Sequence, residues 1–209
     1  LLVAEARSDG GVRGYLRLNK EKWDFVERVN KGQRPHIPQA LGRGTMALLL
    51  QPNDPDQAPW QSIVPIEGAT LADCAQMWFS QSEQVPTRVR LAVAEISEPG
   101  GTKRWRSGGA LIQQVAGDSA RGATDEPWDN ARHLFDTIED IELVDPDVSS
   151  GTLLFRLFHE NGVRLEPPKA LTDKCTCSEE KLFATISQMD KGELKALADA
   201  DGGISADCQ

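Results

Sequence analysis

Residues 173–209 are too few to fold on an apolar core of their own, because a domain below about 40 residues usually needs a metal, a disulfide or a partner to hold it. This stretch carries three of the four cysteines in the chain: Cys175, Cys177 and Cys208. Its local signals are otherwise good. Ser178 stands where it can cap a helix bearing Leu182, Phe183, Ile186 and Met189. Asp190 and Glu193 have capping-box spacing ahead of a second helix with Leu194 and Leu197. Asp201, Gly202 and Gly203 then predict a turn that brings Cys208 back toward the first two thiols.

Structural zinc sites take four Cys or His ligands, with paired ligands usually separated by two to four residues. The Cys175-Thr176-Cys177 pair is tighter than that. Spacing therefore leaves three readings open: a zinc site, a redox-active dithiol, or reduced structural cysteines. Four cysteines in 209 residues do not make a secreted disulfide framework, so a reducing, cytoplasmic compartment is expected. The first residues, Leu1 to Ala4, meet Glu5 and Arg7 too soon for a signal peptide and resemble an interior strand.

Charge is distributed unevenly. The net charge is −9, but residues 1–117 carry +2 and residues 118–209 carry −11. An acidic half disfavours nucleic acid and anionic membranes, whose phosphates need clustered Lys and Arg. No apolar run is long enough to span a bilayer.

Along the chain, residues 1–18 predict a β-hairpin turning at Asp9, Gly10 and Gly11. Residues 19–40 predict a loop or short helix, and 44–50 and 60–66 predict two strands. A helix begins at Thr70, boxed with Asp73, and buries Leu71, Cys74, Ala75, Trp78 and Phe79. Cys74 is expected to be a buried small hydrophobe. Two more strands are expected at 89–96 and 109–115. After a linker at 117–124, a helix over 128–141 would bury Trp128, Ala131, Leu134, Phe135, Ile138 and Ile141. A second helix over 150–160 would bury Leu153, Leu154, Leu157 and Phe158. The carboxylates of 136–147 are read as a solvated acidic face. The class is α+β: a β-sheet core domain with a packed long helix, then an α-helical linker and a small C-terminal cysteine module.

Catalytic signatures are missing. There is no phosphate-binding glycine loop, dinucleotide fingerprint, zinc-protease motif or nucleophile elbow. His36, His133 and His159 form no ligand pair, and no enzymatic role is expected.

The run Cys175-Thr176-Cys177-Ser178-Glu179-Glu180-Lys181, with Cys208 31 positions after Cys177, resembles the C-terminal signature of the 33 kDa heat-shock protein family. Upstream segments resemble it too: 66–72 (Ile-Glu-Gly-Ala-Thr-Leu-Ala), 82–87 (Ser-Glu-Gln-Val-Pro-Thr), 108–113 (Gly-Gly-Ala-Leu-Ile-Gln) and 153–160 (Leu-Leu-Phe-Arg-Leu-Phe-His-Glu). The family consists of bacterial redox-regulated, ATP-independent holdase chaperones. The resemblance implies further residues before Leu1 and a fourth cysteine three positions after Cys208. It divides the chain into a core domain at 1–117, an acidic helical linker at 118–170 and a redox-sensing zinc module at 171–209.

What the resemblance implies is a switch. Cys175, Cys177 and Cys208 contribute to one zinc site while reduced, and the chaperone is then inactive. Hypochlorous acid, or peroxide with mild heat, oxidises the thiols, pairs Cys175 with Cys177 and releases zinc. The module and linker then unfold and bind unfolding client proteins, with Leu153, Leu154, Phe158, Leu182, Phe183 and Ile186 as candidate contacts. A homodimer is implied on activation. The rival readings are a constitutive structural zinc module on a protein- or nucleic-acid-binding domain, and a thiol oxidoreductase using Cys175 and Cys177.

Overall fold

The computed structural model describes all residues except 55, 98–99, 118–121, 176, 200–201 and 205–209. The chain is α+β, as expected, and divides into two compact units: Leu1–Asn19 with Pro167–Gln209, and Lys20–Glu166.

In the first unit, β1 (Leu2–Ala6) and β2 (Gly11–Leu16) form the expected antiparallel hairpin, registered Leu2 to Leu16 and Ala6 to Val12. Gly10 makes the turn at φ +92°. A Cβ there would lie 2.3 Å from the carbonyl oxygen of Ala170, so backbone strain and space both require glycine. Later in the chain, β7 (Thr172–Asp173) adds to β2 in parallel, a pairing that sequence patterning did not announce. Beyond it lie α7 (Glu179–Ser187) and α8 (Lys191–Leu197). Both begin as expected: Ser178 accepts from the Lys181 amide, and Asp190 and Glu193 close a capping box.

The second unit opens with α1 (Lys20–Asn30) and α2 (Ile37–Leu41), where a loop or short helix was expected. The antiparallel strands β3 (Thr45–Leu50) and β4 (Trp60–Pro65) follow. Then comes α3 (Leu71–Trp78), continued by a π-helical turn at Phe79–Glu83. Its start is the predicted one, since Thr70 Oγ1 accepts from the Asp73 amide and Asp73 Oδ2 accepts from the Thr70 amide. Cys74 is 1% exposed, and its thiol donates to the Glu67 carbonyl, so it is the buried hydrophobe anticipated. Burial pushes that thiol's pKa up.

β5 (Thr87–Ser97) and β6 (Lys103–Gln113) form an antiparallel pair of 11-residue strands, longer than the sequence pattern suggested. Three helices follow: α4 (Asp125–Asp136), α5 (Asp140–Val144) and α6 (Ser150–Phe158). The single helix expected over 128–141 is broken at Thr137, whose hydroxyl bonds back to the Leu134 carbonyl. Glu139 and Glu142 then box the start of α5. The break rotates the buried stripe, so Ile138 and Val144 are inside while Ile141 is exposed.

The core of this unit is Phe135, Ile138 and Leu153, covered by Ala110, Ile112, Leu143, Val148, Leu157 and Phe158. Helix α5 packs on β5 and β6 at a recess made by two small residues paired across the strands, Ala92 and Gly108. A Cβ on Gly108 would lie 1.9 Å from the Leu143 carbonyl oxygen, so the helix backbone rests directly on the strand. The acidic run is not wholly a solvated face. Asp136 pairs with Arg88 at 3.8 Å, its carbonyl accepts from Arg90 at 2.6 Å, and Glu142 meets Arg156 at 3.9 Å.

Candidate functional site

The site to test is the cysteine pair. Backbone bonds deliver it: the Thr172 amide donates to the Gly10 carbonyl at 3.0 Å, and the Lys174 amide to the Val12 carbonyl at 3.1 Å. Side chains reinforce the join. Lys174 Nζ reaches Asp9 Oδ2 at 2.7 Å, and Lys169 Nζ donates to the Ser8 carbonyl at 2.5 Å. The Lys174 hydrogen bond, helped by one from the Gly11 amide, holds the Asp9 carboxyl down at about 2.

Cys175 and Cys177 are both exposed and are not joined in a disulfide. The Cys177 amide donates to Cys175 Sγ at 3.2 Å. One guanidinium serves both sulfurs: Arg13 Nη1 lies 3.5 Å from Cys177 Sγ and 3.9 Å from Cys175 Sγ. Contact with Cys177 pushes the Arg13 pKa up. Arg13 Nε also pairs with Glu5 Oε2 at 3.5 Å. Sequence reasoning missed Arg13, because an arginine on an exposed strand, 162 positions before Cys175, gives no local signal.

Two neighbouring, accessible thiols facing a cation suit soft-metal ligation or oxidation, since the thiolate is the form that does either. Zinc therefore fits the chemistry of these donors. The third expected ligand, Cys208, lies outside the described residues. Among the described residues, no group of three or more His, Cys, Asp or Glu side chains is placed to hold a metal. His36, His133 and His159 are exposed.

The expected client contacts divide. Leu153 is buried in the core, and Leu154 and Phe158 are half-buried. On α7, Leu182 and Phe183 are exposed, Phe183 to 74%, and Ile186 is half-buried. No helix among the described residues is long and apolar enough to cross a membrane.

Comparison with known proteins agrees with this picture. The 33 kDa chaperonin of Caulobacter vibrioides is 43% identical over 209 residues, covering all of this chain and 68% of that protein. The 33 kDa chaperonin of Pseudomonas aeruginosa is 31% identical over 212 residues, and the match spans 64% of its length. In three dimensions, the crystal structure of the Thermotoga maritima 33 kDa chaperonin (heat shock protein 33 homolog) superposes with a TM-score of 0.59 at 22% identity. That match covers 94% of this chain and 62% of the other, and supports the fold. The family model described as Hsp33 protein matches residues 1–209. With the whole chain matched and a relative 43% identical along its length, the chain belongs to the Hsp33 family.

Proposed function

We propose that the chain works as an ATP-independent holdase switched by the oxidation state of Cys175 and Cys177. The observation that carries this reading is the pair itself: two accessible sulfurs in a segment where no described apolar side chain is buried. Such a segment depends on what its cysteines bind.

In the reduced state, Cys175 and Cys177, with Cys208, would hold one zinc ion. Bound zinc would supply roughly 10–16 kcal/mol of apparent folding free energy to a small module. Oxidation by peroxide or hypochlorous acid joins Cys175 to Cys177, and disulfide sulfurs no longer serve as thiolate ligands. The module then loses its main support, and Leu182, Phe183 and Ile186 become available to unfolding clients. The linker over 118–170 follows, offering Leu153, Leu154 and Phe158. Its charge favours release, because the carboxylates of 136–147 repel one another and only part of them are paired. The same acidity keeps an opened apolar surface soluble. We place this activity in the cytoplasm, with a homodimer as the active form and neither nucleic acid nor membrane as a partner.

The test is light scattering of a thermally unfolding client with the full-length protein, reduced or peroxide-treated. Suppression of aggregation is expected only after oxidation, together with zinc release and loss of the Cys175 and Cys177 thiols. Equal suppression in both states would leave a constitutive zinc-stabilised binding module as the better description.

A further inference from the structure

Arg13 has no part in the scheme above, yet its guanidinium lies within hydrogen-bonding reach of both sulfurs. It stands on β2 one residue past Val12, where the parallel ladder to β7 ends at Asp173. The first hairpin thus grips the cysteine segment twice, through the amides of Thr172 and Lys174 and through the guanidinium at 3.5 and 3.9 Å from the sulfurs. We propose that Arg13 is a positioning residue that holds the two reduced sulfurs against β2, so that the first hairpin registers their oxidation. This inference rests on the redox reading of Cys175 and Cys177 given above.

The chemistry of the acceptor sets the direction. A thiolate carries charge and accepts strongly from a guanidinium, whereas a disulfide sulfur is neutral and a poor acceptor. Oxidation by hydrogen peroxide proceeds in two balanced steps. One sulfur attacks a peroxide oxygen, the O–O bond breaks, and water leaves a sulfenic acid behind. The second sulfur then attacks the first, the S–O bond breaks, and a second water leaves. Two protons and two electrons have passed from the thiols to one peroxide, and Arg13 has lost both sulfur acceptors. It keeps Glu5 at 3.5 Å, so the guanidinium has a carboxylate to turn to while the cysteine segment is released. While the cysteines hold metal, an outside donor to the ligating sulfurs orients them, and losing such a partner typically weakens metal binding 10–100-fold.

The experiment uses the full-length protein as wild type, Arg13→Met and Arg13→Lys. Amide hydrogen exchange is read at Thr172 and Lys174, and zinc is titrated against a chromogenic chelator. Oxidation of the wild type should lower protection at both amides by about tenfold or more. Arg13→Met should show that lowered protection already when reduced, change little on oxidation, and hold zinc about tenfold more weakly. Arg13→Lys, which keeps the charge but not the two-pronged reach, should fall between them, and it decides the matter should Arg13→Met fail to fold. Wild-type protection and zinc affinity in the variants would overturn the proposal. Mass spectrometry of the peroxide-treated wild type separates two failures. A missing Cys175–Cys177 disulfide sinks the underlying redox reading and the oxidation half of this one. A disulfide formed with both amides unmoved sinks only the role of Arg13.

Discussion

Each of the two units is held together by its own physics. In Lys20–Glu166 the helices lay apolar stripes on strands, and every core residue among those described is found there: Val64, Cys74, Trp78, Ala92, Phe135, Ile138, Val144 and Leu153. The unit formed by Leu1–Asn19 and Pro167–Gln209 buries Gly10 and Gly11, but no larger apolar side chain among its described residues. It is joined instead by ladder bonds, the Lys174–Asp9 pair, and the contact of Arg13 with two sulfurs. Burial is roughly additive in area and indifferent to chemistry. Polar joins can be undone by changing one atom's charge. A region meant to open on a chemical signal belongs in the second category.

Substitutions can break or sharpen this contrast. The largest effect is expected for Phe135→Ala, which empties a side chain only 2% exposed and should cost about 3–5 kcal/mol in urea unfolding. Next is Gly108→Ala. Its new methyl meets the Leu143 carbonyl, and about 1–3 kcal/mol is expected, with hydrogen exchange showing α5 loosened from β5 and β6. Wild-type exchange in α5 would refute the close seating of helix on strand.

The polar unit should respond to acid instead. Asp9 has its carboxyl held at about 2 in the fold, below its ordinary value of 3.8. A depressed carboxylate contributes stability above its unfolded pKa and loses it as pH falls through the folded one. The Gly11 and Lys174 amides should therefore lose protection between about pH 4 and pH 2, and Asp9→Asn should remove that dependence. The smallest stability change is expected for Phe183→Ala, within about 0.5 kcal/mol, because the ring is 74% exposed. On the proposed function that variant should still lose client binding after oxidation, and a large stability loss would place Phe183 in a core instead.

Local chemistry was legible in the sequence, and long-range pairing was not. Thr70 with Asp73, Ser178, and Asp190 with Glu193 all cap helices where their spacing predicts, because a cap is decided within four residues. The hairpin turn at Gly10 is of the same kind. The break at Thr137 escaped detection because apolar spacing carried on through it, although Glu139 and Glu142 were a second start signal. Strand β7 is two residues long and has no period to read. In the cysteine pair, the residue types announced the chemistry, but their cationic neighbour comes from the far end of the chain.

The parallel pairing of β2 with β7 has a consequence for synthesis. Gly11 pairs with Thr172, so the first hairpin leaves the ribosome with that edge of β2 unpaired, and the whole second unit is made before its mate appears. Closing a loop of about 160 residues costs on the order of 4–5 kcal/mol in chain entropy. A two-residue strand repays little of that alone. The sheet is therefore expected to close only after the second unit has been made, as Cys175 and Cys177 emerge.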